Sequence, residues 1–497
     1  MSIEISKLSE VVKNLKELQC CARCILRYIG KRDSSAAFYA KPYNEIVNYV
    51  EDTYSGLFIK KDVENSWDFI CILCLGLLQP STSHALITKI CDLVKSSDHE
   101  FFNFTTAITY PLVLTFRHHS LWMHLKENFS SIYPEQVSLQ DTLRLKDCIK
   151  FVYGPQMELN LDVEFYKKSP FSISVILDHS EAMKELDFLV SGKRVLKCHP
   201  RKRKKVIASE PFVTAMQLTK CIENIETCQQ FREIGNCPPQ AIQIPCRIAK
   251  VECTNAPVYL AGRYNKYSRF LSQSPWIVNG QRMTENSVEE LIAAEIEKVF
   301  LSDDSKFSSA GREDVDVRML GKGRPFILEL INPRKIAQNL EQIKKLQMKV
   351  NSSTDDIKIR DLQKISREEC GKLKEAEKSK TKTYRALVYV SEGVTEEELF
   401  SLNDNKDIML NQKTPLRVLH RRPLADRQRK ILTMSTEYID KNHFYLYLCT
   451  EAGTYIKEFV HGDFGRTQPN LSTIMNKETD ILELDVMVRC ISTSCSQ

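Results

Sequence analysis

Residues 311–320 read GREDVDVRML, and this stretch decides how the C-terminal half of the chain is read. A flexible glycine precedes alternating charged and apolar residues, the period-2 pattern of a strand with one buried face. Val315, Val317 and Met319 are expected to face a core, Glu313 or Arg318 to face outward, and Asp314 to sit where the strand begins. On pattern alone the segment is an exposed edge strand with solvated charges. The following GKGRPFILELINP supplies another strand, residues 326–331, joined through a Gly-Lys-Gly turn that is too short for a Walker phosphate loop.

Working outward, TKTYRALVYV places Tyr384 and Tyr389 on a strand beside Lys382 and Arg385. A tyrosine face can stack on an extruded base, although a strand tyrosine more often packs. LRVLHRRPLADRQRK sets Arg417, Arg421, Arg422, Arg427, Arg429 and Lys430 against a single acid, Asp426, a density suited to a phosphate backbone. AGTYIKEFVHGDFGR reads as a glycine turn into a short helix carrying Tyr455 and Lys457. Lys457 fits a surface charge as well as a cation that keeps a nearby carboxylate ionised. Polar linkers are expected at residues 302–310 and 351–356.

Toward the N-terminus, residues 3–18 carry apolar side chains at Ile5, Leu8, Val11, Val12, Leu15 and Leu18, one face of a helix. Two C-x-x-C pairs follow, Cys21 with Cys24 and Cys71 with Cys74. Four thiolates at such spacing can close a tetrahedral zinc site of structural type, while the alternative is a set of ordinary buried thiols. From about residue 98 to 240, short β-like runs (FFNFTTAITY, FSISVIL) alternate with helical stretches such as PFVTAMQLTKCIENI, an α+β module. Its connecting segment holds Lys193, Arg194, Lys197, Arg201, Lys202, Arg203, Lys204 and Lys205 without an acid. RNA contact, nuclear import and a bland solvated loop all remain open for that block.

The 497 residues suit two to three domains, and 42% hydrophobic content is enough to give each a core. The first twenty residues lack a secretory h-region, and the apolar run at residues 69–78 is about half a membrane span. A membrane role is not expected. Seventeen cysteines, an odd number, are read as reduced thiols and metal ligands. His199, His420 and His461 form no H-E-x-x-H or deaminase pattern, and no G-x-S-x-G elbow is present, which disfavours zinc hydrolase, deaminase and serine hydrolase readings.

Taken together, AGRYNKYSR (residues 261–269), SPW (274–276), SVEELI (287–292), GREDVDVRMLGKGRPFILELINP, KTYRALVY, LRVLHRRP and AGTYIKEFVHGDFGRTQPN closely resemble the archaeal and eukaryotic tRNA pseudouridine synthase family usually called the tenth. In the N-terminal half the resemblance rests on CARC (21–24), CILCLGLLQ (71–79) and the basic segment. It implies an α+β chain: a helical zinc-binding segment at 1–97, a THUMP-like RNA-binding module at 98–240, and at 241–497 a catalytic domain with a mixed, largely antiparallel sheet. It puts the catalytic aspartate on Asp314, the base-stacking tyrosine on Tyr384, a second active-site tyrosine on Tyr455, the basic partner of the aspartate on Lys457, and the zinc ligands on Cys21, Cys24, Cys71 and Cys74. Glu313 departs from the Gly-Arg-Thr-Asp of other synthase families, which makes Asp316 a competitor, but Asp314 keeps the glycine-arginine spacing.

The implied reaction isomerises uridine in the TΨC arm of tRNA, at positions 54 and 55, with structural zinc and no catalytic cofactor. Lys457 and Arg312 are expected to hold Asp314 ionised. The basic block and the residues Arg417, Arg421 and Arg422 are expected to grip phosphates. A monomer in nucleus and cytoplasm is expected. The rival is an RNA-binding adapter that delivers primary microRNA to its processing proteins; a THUMP-bearing methyltransferase would need a glycine-rich cofactor loop, and none is present.

Overall fold

In the computed structural model the described residues are 5–29, 36–54, 69–190, 215–223, 225–376, 381–420 and 422–488. The basic block at 193–205 and Arg421 lie outside them. The chain divides into two compact units, residues 1–255 and 256–497.

The first unit gathers its helices and a small sheet around one core. On the helix Ile5–Glu17 the expected stripe buries Val11, Val12 and Leu15. Strands β1 (Asn103–Thr109), β2 (Glu164–Phe165), β3 (Phe171–Asp178) and β4 (Arg247–Asn255) form a sheet in the order β2-β1-β3-β4. On β3 Phe171, Ile173, Val175 and Leu177 alternate into the core, the period that the sequence shows. The cysteine-bearing helical segment shares that core with the α+β part, so 1–97 and 98–240 pack as one unit. Its end lies at Asn255 rather than 240, because β4 pairs antiparallel with β3 and completes this sheet.

The second unit is built on a large sheet. Its strands are β5 (Val258–Lys266), β8 (Asp304–Ser309), β9 (Val317–Ile331), β10 (Ile357–Ile365), β11 (Lys382–Val390), β12 (Lys406–Lys413), β13 (Asp426–Asp440), β14 (His443–Thr450), β15 (Thr467–Gln468) and β16 (Thr479–Val488), after a separate hairpin of β6 (Ile277–Val278) and β7 (Gln281–Arg282). Among the described residues the order is β10-β5-β9-β16-β11-β14-β13-β12-β15, with β8 on β9. Every described pairing in it is antiparallel except β16 with β9. The expected α+β class with a mixed, largely antiparallel sheet is what the chain adopts. Helices Val288–Phe300, Leu340–Ser353, Glu396–Leu402 and Ile456–His461 bury their apolar residues with one face of the sheet, alongside Tyr384, Ala386 and Val388 of β11.

Two expectations change. The strand at 326–331 is the end of one long strand, β9, because Gly321 and Gly323 take positive φ (63° and 73°) and let it bend through the Gly-Lys-Gly turn. A β-carbon on Gly323 would come within 2.6 Å of the Tyr264 carbonyl oxygen. The stretch at 302–310 is largely strand β8 rather than a linker.

Asp485 on β16 ties three parts of this sheet. Its carboxylate accepts from Arg318 of β9 at 2.8 and 2.9 Å, from Arg385 of β11 at 2.8 Å and from Arg269 at 2.8 Å, and Arg269 also donates to the Asp316 carbonyl at 2.9 Å. Burial pushes this carboxyl toward the neutral form, but the bonds from Arg318 and Arg385 and the Arg269 charge outweigh it and hold its pKa low. A folded pKa below the unfolded one gives stability that is present above the ordinary carboxylate range and lost as pH falls through the folded value. Asp485→Asn is therefore expected to cost about 3 kcal/mol in urea unfolding at neutral pH, with the gap from wild type closing as the pH is lowered below that range.

Candidate active site and metal centre

Residues 311–316 are a loop, and regular strand begins at Val317. Val317 and Met319 face the core as expected, whereas Glu313, expected outside, is among the most buried acids of the unit. Glu313 accepts from Arg324 Nε at 2.8 Å and from the Tyr264 hydroxyl at 2.7 Å. Gln273 Nε2 in turn donates to the Tyr264 oxygen and to the Gly311 carbonyl. Gly311 has φ +103°, and a β-carbon there would meet the Arg324 guanidinium at 2.6 Å, so the turn requires glycine on both counts.

Beneath the loop lies Lys266, fully buried, whose ammonium donates to the carbonyls of Leu271 (2.7 Å), Asp314 (3.1 Å) and Val315 (2.7 Å). Burial lowers its pKa to about 8 against the pull of Glu313, Asp316 and Asp314. The neighbours Glu313 and Asp314 thus part: one carboxylate is locked inward, and the main chain of the other is clamped while its side chain stays about one-third exposed.

Among the described residues, Arg417 pairs with Asp314 at 2.6 Å. Its other edge donates to the buried Glu458, Nε at 2.6 Å and a terminal nitrogen at 3.4 Å. Burial works against the Arg417 charge, but Glu458, Asp314 and Asp316 outweigh it and raise its pKa. Lys457, expected on Asp314, instead pairs with Asp316 at 2.5 Å. A planar guanidinium can span two carboxylates, as Arg417 does with Asp314 and Glu458, whereas the Lys457 ammonium is a compact point charge and meets Asp316. Arg417, expected on a phosphate-binding stripe, keeps about one-third of its side chain exposed while pairing with Asp314 and Glu458. The exposed Arg312 lies near Glu289, where it offsets part of the rise that burial imposes on that carboxyl, rather than serving as the clamp on Asp314.

Tyr384 lies on the core face of β11, only 9% exposed, with burial raising its pKa against the field of Arg324. Tyr455 precedes the helix Ile456–His461, its main chain held on both sides by the buried Gln412 at 2.9 Å. Arg422 is exposed. Direct pairing thus joins Asp314, Arg417 and Glu458 in one group and Asp316 with Lys457 in another. The sequence reading passed over Lys266, Glu313 as a brace, Tyr264, Gln273, Arg324, Gln412 and Glu458; β5 is buried at seven of its nine positions, its terminal lysine included.

In the first unit the Sγ atoms of Cys21, Cys24, Cys71 and Cys74 lie within 4.8 Å of one another, and all four residues are buried. The Cys21 and Cys74 sulfurs are 3.8 Å apart, and the edge of a tetrahedron with a metal–sulfur bond of about 2.3 Å is about 3.8 Å. Arg27 brings a guanidinium nitrogen to 3.9 Å from Cys24 Sγ, a cation that offsets thiolate charge. The donor set fits a metal ion held by four thiolates, with no coordination position left for chemistry.

The fold and site therefore define an α+β protein that presents a clamped carboxylate beside a positively charged anchor, joined to a unit whose four clustered cysteines can hold a metal ion. A family model described as "Pus10, C-terminal" matches residues 259–488, and one described as "Eukaryotic Pus10, N-terminal" matches residues 71–253. The mouse "tRNA pseudouridine synthase Pus10" is 43% identical over 507 residues, covering 94% of each chain, and the Xenopus laevis protein of that name is 41% identical, covering 97% of this chain and 96% of its own. The Pyrococcus furiosus protein is 34% identical over 68% of this chain and 79% of its own. A solved Cbf5-Nop10-Gar1 complex aligns over 45% of this chain and 47% of its own at 16% identity, with a TM-score of 0.25. The chain belongs to the Pus10 family of tRNA pseudouridine synthases, which are isomerases.

Replacing Lys266 by Met removes the donor for three carbonyls, and we expect a loss of about 2 kcal/mol at pH 7. Above about pH 8 the unfolded chain binds the proton that folded Lys266 has released, so wild-type stability relative to Lys266→Met rises with pH between about 8 and the usual 10.5. Denaturant unfolding of both proteins across that window checks the sign. Metal analysis of a Cys71→Ser, Cys74→Ser double variant should show loss of one equivalent of bound metal together with a lower melting temperature.

Proposed function

We propose that the chain converts uridine to pseudouridine in the TΨC arm of tRNA, at positions 54 and 55, with Asp314 as nucleophile. The observation that carries this reading is the bridge Asp314–Arg417–Glu458. It supplies a partly exposed carboxylate paired with a guanidinium that is itself anchored on a buried acid. The reaction breaks the bond from uracil N1 to ribose C1′, turns the base, and joins its C5 to the same carbon. Substrate and product have the same composition, so no redox cofactor or external energy is required.

A carboxylate begins this by attack on C1′ or on C6 of the base. Lys266 and the Glu313 brace hold the attacking residue's main chain, so that little reorganisation remains when the base arrives. Tyr384 is assigned to the floor against which uracil turns, Tyr455 to the wall at the start of its helix, and Lys457 to charge balance through Asp316. The target base must leave its stack at a cost of a few kcal/mol, about what one or two added phosphate contacts offset. Arg422, Arg421 and the block Lys193–Lys205 are assigned to that grip, and the first unit to a THUMP-like RNA-binding role with structural zinc at its four cysteines. A monomer, present in nucleus and cytoplasm, is the working assembly. The adapter reading rests on the basic block, which lies outside the described residues.

Unmodified tRNA incubated with wild type should acquire pseudouridine at 54 and 55, read by carbodiimide treatment and primer extension, and Asp314→Ala should form none. Arg417→Met should lower the single-turnover rate by about 10²- to 10³-fold. Equal product from wild type and Asp314→Ala sinks the nucleophile assignment.

A further inference from the structure

The turn after the helix Ile456–His461 places four successive residues in the left-handed region: Gly462 (φ 80°), Asp463 (46°), Phe464 (55°) and Gly465 (80°). Two are glycines, and aspartate tolerates this conformation, but a phenylalanine there is a genuine outlier. Its side chain is 94% exposed. Neither burial nor backbone preference explains the residue, since an asparagine or glycine would fit the turn better and expose less apolar surface.

The surroundings hold the strained turn in place. The Gly462 carbonyl accepts from the amides of Gly465 (3.0 Å) and Thr467 (3.2 Å), and the Asp463 carbonyl from Arg466 (3.1 Å). The buried Asp463 carboxylate accepts from the Leu416 amide at 3.2 Å, and Arg466 donates to the Thr414 carbonyl at 2.7 Å. A β-carbon at Gly462 would strike Asn470 at 2.7 Å. Backbone strain so tightly over-determined marks a functional position. The location is specific as well: Leu416 precedes Arg417, the residue that grips Asp314, and the helix leading into the turn carries Lys457 and Glu458. One rigid connection therefore joins the exposed ring to the catalytic carboxylate.

We propose that Phe464 is an aromatic wedge that stacks on the tRNA bases flanking the uridine when that uridine is turned out toward Asp314. The inference rests on the pseudouridine synthase reading above and adds a residue to it. An enzyme acting on a stacked base has to extract it, and a rigidly mounted aromatic ring fills the vacancy without preference for sequence.

The test uses full-length protein and unmodified tRNA carrying 2-aminopurine next to the target uridine. Wild type is expected to give a fluorescence change on mixing, followed by pseudouridine. Phe464→Ala should lose the fluorescence change and slow single-turnover conversion by about ten-fold or more, with circular dichroism and melting temperature kept because the ring is in solvent. Phe464→Trp should retain both signals. If wild type is active and Phe464→Ala matches it in rate and fluorescence, the wedge is overturned and the function stands. If wild type forms no pseudouridine, the function fails and the wedge with it.

Discussion

The catalytic unit depends on the burial of Glu313 against Arg324. Two adjacent acids on one loop cannot both enter a low-dielectric core, and only a carboxylate with a full set of donors can do so. Glu313 has them, from Arg324 and from a tyrosine itself bonded to Gln273. Once it is locked inward, the chain direction carries Asp314 the other way. The Lys266 ammonium fixes the carbonyls of Asp314 and Val315, so both ends of the short segment are held by buried charge. Such pairs add little net stability compared with an apolar core, but they specify one arrangement, and here that arrangement is the direction of a carboxylate.

The cations around this loop follow from the same geometry. Asp314 and Asp316 flank Val315 in a turn closed by the Val317 amide on the Asp314 carbonyl at 3.2 Å, and each meets a different partner. Arg417 binds Asp314 with one edge while Glu458 occupies the other, so its position is set by a buried acid. Arg269 extends the connection to the sheet, bonding both the Asp316 carbonyl and Asp485. The loop, the helix Ile456–His461 and three strands are thus joined by directional bonds rather than by apolar contact alone.

The first unit solves a different problem. Its four cysteines come from two segments about fifty residues apart, and they converge because both segments are buried in one core with Arg27 beside them. A metal ion held there would balance thiolate charge that is otherwise costly to bury, so metal binding and the core would reinforce each other.

Much of the fold was legible without coordinates. Period-2 burial on β1, β3 and β11, the stripe on the first helix and the paired C-x-x-C motifs are local patterns, and local patterns survive in a linear string. The motifs GREDVDVRML and AGTYIKEF likewise marked the segments that meet at the site. Which charge faces which could not be read there. Glu313 and Arg318 looked equally suited to solvent, Lys457 looked like the partner of Asp314, and Arg417 looked like one of several phosphate contacts. Ion pairing depends on separations of a few ångströms between residues more than a hundred positions apart, such as Arg417 with Asp314 and Lys457 with Asp316, and no sequence period encodes such a distance. The sequence by itself determined most of the strand pattern and marked the four cysteines and the acidic loop; only the tertiary structure decided that Glu313 is buried, that Arg417 pairs with Asp314, and that Phe464 stands in solvent on a strained turn, because each of these is settled by what packs against the residue.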